Sequence, residues 1–537
     1  MTQTAGAQAS DLAITPGRVS LAALKTIWRG PARLVLPEQS WAAIQAAADA
    51  VAEILASRRV VYGVNTGFGL LADRRIDTDH LAELQRNLVR SHACGVGEPL
   101  APAVVRLVLA LKVVSLARGA SGVRSAVVRM LIALLAADAL PVIPAQGSVG
   151  ASGDLAPLAH LALALVGEGE IAWRGRVRPA AEVLAALGME PLAPAPKEGL
   201  ALLNGTQVST ALALDAFFRA EAAFHAALLA GALSTDALKG SDVPFDPRIQ
   251  ALRGHAGQIA VARVLRGLLA GSRIRASHAD CPKVQDPYCL RCQPQVMGAV
   301  CDQLRHVAAT LEIEANAVTD NPLILTGDGG EAAALSGGNF HAEPVAFAAD
   351  LLAIVTAEIA SLCERRIALM IDPKLSGLPA FLAEDPGLQS GFMIAQVTAA
   401  ALVSENKTLA HPAGVDSVPT SAGQEDHVSM ATWAARKAGL VARNTTAVVA
   451  IELLTARRAI GFHRPLTTSP ALQALVAALA EILPETDGDQ RLDTAIATLG
   501  AQIAAGCLDR FLPDPLLPPR ADIAAPAPGV TPAPREQ

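Results

Sequence analysis

The sequence predicts a mainly α-helical protein, a bundle of long helices with a smaller N-terminal domain of mixed helix and strand. Hydrophobic residues make up 52% of the 537 residues and aromatic residues only 3%. Alanine and leucine dominate, and both favour helices. Apolar residues also recur every three or four positions over long stretches, whereas strand-like patterns are few and short. We expect residues 1–200 to form the N-terminal domain, 201–512 the helix bundle and 513–537 a flexible Pro/Ala-rich tail.

Short strand signals precede the long helices along the chain. RVVYGV, at 59–64, predicts a strand, IAWRGRV, at 171–177, predicts a hairpin, and PLAPAPKEG, at 191–199, is typical of a boundary loop. The apolar periodicity then predicts five long helices, at 205–238, 295–317, 346–370, 392–409 and 428–459. Helices that are apolar on several faces need partners, which favours a bundle and packing between subunits.

Charge and composition argue against several classes of partner. The formal net charge is −6 and no long run of like charge occurs, so neither a nucleic acid nor a membrane surface is an expected partner. The N-terminal segment lacks the basic head and apolar core of a signal peptide, and no uncharged apolar stretch is long enough for a membrane span. Seven cysteines in so long a chain do not make a disulfide scaffold. We therefore expect a cytoplasmic protein.

Polar residues are concentrated in five stretches that combine glycine or proline with amides, hydroxyls or charges. Loops of this type between rigid helices are where sites are usually built. The chain has only two tyrosines, and both Tyr62 and Tyr288 lie in these stretches, which favours chemistry over two core rings. The five stretches are YGVNTGFG (62–69), QRNLVRSHACGVGEP (85–99), GSVGASGD (147–154), VQDPYCLRCQPQ (284–295) and HPAGVDSVPTSAGQEDHVSM (411–430).

Several of these residues also fit a purely structural role. His92 fits a histidine at a helix end that makes one backbone hydrogen bond. Arg291 fits a surface ion pair, which contributes little. The segment around Glu425 fits the acidic first turn of a helix capped at Ser421.

A zinc site is the weaker interpretation of the cysteines. Cys289 and Cys292 form a CxxC pair near His278, Cys281 and Cys301, but there is no second pair and the other gaps are too wide for the usual ligand spacing. We expect no metal site.

The stretch GSVGASGDLAPLAHLAL, at 147–163, resembles the signature of the aromatic amino-acid ammonia-lyases. The other four stretches resemble the same family in the same order, as do NGTQ (204–207), TDNP (319–322) and SGGNFHAEP (336–344). The resemblance covers 21–512 and is closest to the members that act on histidine. It implies the helical fold shared by the aspartase and fumarase group, and a homotetramer in which three subunits contribute to each active site.

The resemblance implies a prosthetic group made from the chain itself. In this family an Ala-Ser-Gly tripeptide cyclises and loses two waters to give 4-methylideneimidazol-5-one (MIO). Here the tripeptide would be Ala151, Ser152 and Gly153. Glycine permits the close backbone approach that ring closure needs, and serine supplies the hydroxyl that leaves. No dissociable cofactor is implied.

The resemblance also assigns the remaining site residues. Tyr62 matches the base that removes the β-proton, Tyr288 a second tyrosine near the MIO ring, and Arg291 the residue that binds the substrate carboxylate. Three further residues match positions that contact the prosthetic group or the substrate: Asn204, Gln285 and Phe340.

The pair Ser91-His92 resembles the members that act on histidine. Tyrosine-specific members usually have His-Leu at this place, and phenylalanine-specific members usually have Phe-Leu. His92 and Glu425 would bind the two nitrogens of an imidazole, and a phenyl ring would leave both unpaired. The departures from the family pattern are Arg90, Cys289 and Gly423, and they bear on efficiency rather than on reaction type.

The implied reaction is the non-oxidative deamination of L-histidine to trans-urocanate and ammonia, the first step of histidine degradation, catalysed by a carbon–nitrogen lyase. One alternative keeps the chemistry and changes the substrate or the outcome, as in a tyrosine or phenylalanine lyase or an aminomutase. Another is a binding protein that has kept the fold and lost catalysis. The intact tripeptide and both tyrosines argue against the second alternative.

Overall fold

The computed structural model describes residues 9–517, apart from 58, 68, 72, 280–283, 327–331, 485–487 and 515. Helices dominate these residues and the strands are short, so the predicted mainly α class is confirmed.

The N-terminal part contains three small sheets and eight helices. β1 (Ser10–Ala13) is parallel to β2 (Ala32–Val35), β3 (Val96–Pro99) is antiparallel to β5 (Pro144–Gln146), and β4 (Leu140–Pro141), β6 (Glu170–Trp173) and β7 (Arg176–Pro179) form an antiparallel sheet in that order. The helices are α1 (Leu21–Arg29), α2 (Glu38–Ala56), α3 (Leu81–His92), α4 (Pro102–Leu116), α5 (Ser125–Ala136), α6 (Leu155–Leu165), α7 (Ala180–Ala186) and α8 (Glu198–Leu203).

The predicted hairpin is confirmed, whereas the predicted strand at 59–64 is wrong. β6 and β7 pair as expected, with Trp173 opposite Arg176. Residues 61–65 instead form a turn in which the carbonyl of Val61 accepts from the backbone N–H of Asn65 at 3.2 Å. The Asn65 side chain also accepts from the N–H of Val61 and donates to the carbonyl of Arg59. These local hydrogen bonds replace the strand pairing that the apolar residues suggested.

The C-terminal part is a helix bundle with one small hairpin. Its helices are α9 (Gln207–Ala237), α10 (Pro247–Arg253), α11 (Ala256–Leu269), α12 (Arg273–Ala276), α13 (Tyr288–Arg291), α14 (Gln293–Ala315), α15 (Glu343–Ile371), α16 (Pro373–Ser376), α17 (Met393–Leu409), α18 (Ala431–Gly461), α19 (Pro470–Ile482) and α20 (Asp493–Ala504), and β8 (Leu323–Thr326) pairs with β9 (Ala332–Leu335). The five predicted long helices correspond to α9, α14, α15, α17 and α18 and differ from them only at the ends.

α9, α15 and α18 pack against one another, and α18 makes extensive contacts with both of the others. The aromatic residues Phe217, Phe218 and Phe224 of α9 are all buried. Three of the described helices, α9, α15 and α18, are long and apolar enough to cross a membrane. In each, most of an apolar 18-residue segment is buried inside the fold: 89% in α9, 67% in α15 and 72% in α18. Their apolar surface therefore forms the core of the bundle.

The expected division at residue 200 stays a prediction. One hydrophobic cluster extends from Ile14 to Leu517 and includes residues from both sides of the expected boundary. Leu516 and Leu517, in the expected tail, are buried, and residues 518–537 lie outside the described part of the chain.

Candidate active site

A large open cavity of about 1350 Å³ lies where α3, α6 and α8 approach the loop before α18. Seven of the residues expected at the site line this cavity. They are Tyr62, His92, Ala151, Ser152, Asn204, Phe340 and Glu425.

The Ala-Ser-Gly tripeptide forms a tight turn immediately before α6. Gly153 has φ of +72°, a left-handed conformation that favours glycine. It pairs with Gly205 in an isolated parallel bridge, and a side chain at Gly153 would overlap the backbone of Gly205. The local sequence therefore fits a turn that packs directly against another backbone segment.

Both the carbonyl oxygen and the hydroxyl of Ser152 are hydrogen-bonded. The Asn204 side chain donates from Nδ2 to the carbonyl oxygen of Ser152 at 2.7 Å. The Ser152 hydroxyl donates to Glu425 Oε1 at 2.5 Å, and Glu425 Oε2 accepts from the Thr420 hydroxyl at 2.6 Å. A carboxylate thus contacts the hydroxyl that would have to leave during ring closure.

Asp154 connects the same turn to the beginning of the central helix. Its Oδ2 accepts from the backbone N–H groups of Val208 and Ser209 at 3.0 and 2.7 Å, in the first turn of α9. Its Oδ1 accepts from the hydroxyls of Ser148 and Thr432 at 3.0 and 2.7 Å. This fully buried carboxylate fixes the turn relative to both α9 and α18.

His92 and Tyr62 contribute two ring side chains to the wall of the cavity. His92 is the last residue of α3, so the expected helix-end position is confirmed, and its Nδ1 lies 3.0 Å from the Ser91 hydroxyl. Burial lowers the pKa of His92, against smaller opposing effects of a backbone hydrogen bond and of the Glu425 charge. The phenolic oxygen of Tyr62 accepts from the backbone N–H of Gly69 at 3.4 Å.

The interpretation of Glu425 as part of a helix start is wrong. α18 begins at Ala431, and the preceding residues Ser421–Gly423 form a separate single turn of 3₁₀ helix. Thr420 and Glu425 pair across that turn, which directs the carboxylate towards Ser152.

Besides Gly153, which lines a smaller adjoining cavity, three expected site residues do not line the cavity within one chain. Tyr288 begins α13, is 71% exposed and lies under the guanidinium of Arg291, whose central carbon is 4.9 Å from the ring centroid. Gln285 is also exposed. In the described chain these residues form a separate surface.

Two of the three departures from the family pattern have local explanations, and nothing in the structure explains Cys289. Gly423 has φ of +85°, a conformation that glycine and asparagine both tolerate. Arg90 forms a two-bonded ion pair with Glu168 at 2.7 and 2.8 Å on the surface. Cys289 is half-buried, and burial raises the pKa of its thiol.

Two residues that line the cavity with Phe340, Asn321 and Ser336, were not predicted as site residues. Asn321 accepts at Oδ1 from the N–H of Gly337 at 2.7 Å and donates to the Ser336 hydroxyl at 3.2 Å. Both Asn321 and Ser336 lie in motifs that had been recognised, TDNP and SGGNFHAEP, so those motifs were the signal for them.

The cysteine cluster does not assemble as a zinc site among the described residues, although Cys281 lies outside them. Cys289, Cys292 and Cys301 are free thiols. In the described part of the chain, the side chains close enough to share a metal ion are instead His341, Glu343 and His427, with ligand atoms within 4.8 Å of one another.

Comparison with known proteins agrees with the resemblance seen in the sequence. The family model "Aromatic amino acid lyase" matches residues 19–481. A histidine ammonia-lyase from Rhodospirillum rubrum is 57% identical over 504 residues, covering 94% of this chain and 98% of that protein.

Solved structures with similar folds include two further relatives. The histidine ammonia-lyase from Trypanosoma cruzi has a TM-score of 0.86 and 40% identity, covering 94% of this chain and 96% of that chain. A tyrosine aminomutase from Streptomyces globisporus has a TM-score of 0.87 and 36% identity, covering 93% of this chain and 98% of that chain. The expected helical lyase fold is therefore confirmed, and the chain belongs to the aromatic amino acid lyase family.

Proposed function

We propose that this carbon–nitrogen lyase converts L-histidine to trans-urocanate and ammonia, the first step of histidine degradation, with an MIO group formed from Ala151, Ser152 and Gly153. One observation supports this most strongly: the tripeptide lies in one cavity with His92 and is hydrogen-bonded to both Asn204 and Glu425. The 57% identity to a histidine ammonia-lyase over nearly the whole chain supports the substrate.

The residues present fit formation of the ring. The amide nitrogen of Gly153 would attack the carbonyl carbon of Ala151, and two waters would leave, one of them taking the Ser152 hydroxyl. Asn204 contacts the Ser152 carbonyl, and its own Oδ1 is buried without a hydrogen-bond partner, so the amide is placed to serve a polar group that is not part of the uncyclised chain. Once formed, the ring would supply an electrophilic methylidene that withdraws electrons from the substrate.

The chain's own side chains would bind the substrate and move its proton. His92 and Glu425 would hydrogen-bond the two nitrogens of the imidazole. Because burial lowers the pKa of His92, this histidine is neutral near pH 7 and offers one donor and one acceptor. Tyr62 would accept the β-proton in its deprotonated form, and the N–H of Gly69 donates to the phenolic oxygen that must carry the negative charge before the transfer.

Further copies of the chain would complete the site. Tyr288, Gln285 and Arg291 are assigned to the substrate by family resemblance, yet they lie outside the cavity of their own chain. Arg291 retains a buried Nε without a hydrogen-bond partner, and Tyr288 is largely exposed. We therefore propose a cytoplasmic homotetramer in which these residues act on a neighbouring subunit's cavity, with no nucleic acid or membrane as partner.

The test is to incubate the purified protein separately with L-histidine, L-tyrosine and L-phenylalanine, and to follow the near-ultraviolet absorbance of each acrylate product. Ser152→Ala is the control, because it removes the hydroxyl that must leave. A signal from histidine alone that is lost in Ser152→Ala is the expected result.

Other outcomes would distinguish the alternatives. An acrylate formed from tyrosine or phenylalanine would keep the chemistry and overturn the substrate assignment. A β-amino acid found by product analysis would identify an aminomutase, the activity named for the similar S. globisporus protein. An intact mass that shows no loss of two waters would overturn the MIO proposal.

A further inference from the structure

Lys112 is a buried lysine that no part of the proposed mechanism uses. It lies in the apolar helix α4 and is only 1% exposed. Burial of an ammonium is costly unless it is well paired, so its position requires compensating partners. Its Nζ donates to the carbonyl oxygens of Ala201 and Asn204, at 3.2 and 2.9 Å.

These two carbonyls belong to the backbone segment that holds the Ala-Ser-Gly turn. Asn204 follows the last residue of α8, and its side chain donates to the Ser152 carbonyl. The next residue, Gly205, accepts from the N–H of Asp154 at 2.8 Å and bridges to Gly153. Lys112 thus fixes the backbone of Asn204. The side chain of Asn204 contacts the turn, and so does the backbone of the next residue, Gly205.

A buried ion pair between Lys197 and Asp320 lies close to Lys112. The charged groups that face Lys112 are Asp320, Lys197 and Asp154. Lys197 Nζ lies 2.7 Å from Asp320 Oδ2, and Asp320 Oδ1 accepts from the Ser121 hydroxyl at 2.8 Å. The two carboxylates offset part of the cost of desolvating the Lys112 ammonium, whereas the charge of Lys197 adds to that cost.

We propose that Lys112 is a positioning residue for the prosthetic group: it holds the Asn204–Gly205 backbone at the place where the Ala-Ser-Gly turn must close. This inference rests on the proposed function. It predicts that Lys112 acts through Asn204, so the two residues form one functional unit although they lie in different helices and loops. A small displacement of such a supporting segment can reduce turnover on the order of 10- to 100-fold.

The experiment is a double-mutant cycle with Lys112→Met and Asn204→Ala in the full-length protein. The mass of the intact chain gives the fraction that has lost two waters, and kcat and KM for L-histidine are measured for each variant. We expect Lys112→Met to lower the ring-bearing fraction, or to lower kcat more than it raises KM. We also expect the double variant to be no worse than Asn204→Ala alone, because the lysine acts through the asparagine.

A matched control removes a buried hydrogen bond in the same region without touching Asn204. Ser121→Ala loses the bond to Asp320 and should reduce thermal stability, while the ring-bearing fraction and kcat stay unchanged. Lys112→Gln keeps a hydrogen-bond donor without the charge, and it replaces Lys112→Met in the cycle if the methionine variant does not fold.

The results separate this inference from the proposed function. If a folded Lys112 variant keeps the full ring-bearing fraction and kcat, or if its loss multiplies with that of Asn204→Ala, the positioning role is overturned while the lyase assignment stands. If the unmodified protein itself has not lost two waters, the proposed function fails and this inference fails with it.

Discussion

Glu425 is a candidate for two roles, one in formation of the prosthetic group and one in recognition of the substrate. Its carboxylate accepts from the Ser152 hydroxyl in the uncyclised chain. That hydroxyl would be lost on ring closure, which would free the carboxylate for a nitrogen of the substrate. The same side chain could therefore serve two steps that are separated in time, and His92 is the cleaner residue with which to test substrate preference.

His92→Leu is predicted to reduce kcat/KM for L-histidine on the order of 10- to 100-fold, because one imidazole nitrogen loses its partner. The value for L-phenylalanine should fall much less or rise, since an apolar side chain removes the penalty of an unpaired polar group. Steady-state kinetics with both substrates provide the measurement. Arg90→Ala is the nearby control: its ion pair is exposed to solvent and contributes little, so kcat/KM for both substrates should be preserved. Equal losses for both substrates in His92→Leu would contradict a role in substrate preference.

The stability contributed by Lys112 is predicted to depend on pH. Burial lowers its pKa from 10.5 to about 7, so between these values the unfolded chain binds the proton that the folded chain has released. Stability therefore rises with pH across this window and is lowest below about pH 7, where the charged ammonium stays buried. The full difference is at most about 5 kcal/mol.

The measurement is the free energy of unfolding of the unaltered protein minus that of Lys112→Met, by denaturant titration between pH 6 and 9. Groups common to both proteins cancel in this difference. A difference that is constant with pH, or that moves in favour of Lys112→Met as pH rises, would show that the lysine is not held with a lowered pKa.

At the scale of elements, the turn before α6 is defined by its contact with the segment that follows α8. Gly153 needs both a left-handed conformation and a close approach to Gly205. Gly175, in the turn between β6 and β7, has φ of +75° and nothing within 4 Å of the place where a side chain would begin. Alanine substitutions at these two glycines therefore distinguish the cost of the left-handed conformation, which both have, from the cost of steric overlap with Gly205, which only Gly153 has.

Gly153→Ala is predicted to abolish the loss of two waters and to destabilise the protein by more than the roughly 1–2 kcal/mol expected for a left-handed alanine. Gly175→Ala should show only that conformational cost and keep the modified mass. Intact mass and thermal unfolding are measured for both variants. Normal ring formation in Gly153→Ala would mean that the observed packing against Gly205 is not needed for closure.

At the scale of the whole molecule, the cavity and the surface around Tyr288 are separate in one chain. If subunits complete each other's sites, inactive variants with defects in different parts should complement one another. Ser152→Ala lacks the ring and Arg291→Ala lacks the carboxylate partner, so mixed oligomers of the two are predicted to regain activity towards L-histidine. The two proteins are unfolded together, refolded and assayed, with each variant refolded alone as the control. Absence of recovered activity despite mixed assembly would place Arg291 and Ser152 in the same chain's site.

Much of the architecture could be predicted from the sequence because helix formation depends on local periodicity. The apolar residues of α9, α15 and α18 recur with the helical period over long stretches, so these elements were expected with small errors at their ends. The segment at 59–64 failed because its apolar residues resemble a strand, while the Asn65 side chain stabilises a turn. Helix ends and turns depend on single side-chain contacts that the periodicity does not contain.

Short motifs were enough to identify the residues proposed for the chemistry: the Ala-Ser-Gly tripeptide, the tyrosines and the Ser91-His92 pair. Which of them share a cavity follows from how the chain folds. The fold brought Ser152 to Glu425, which lies 273 positions away along the chain, and left Tyr288 on a different surface. It also placed Lys112, one lysine in an apolar helix, under the carbonyl of Asn204. A motif identifies residues that are close in the sequence, whereas contacts between distant segments depend on how the helices pack.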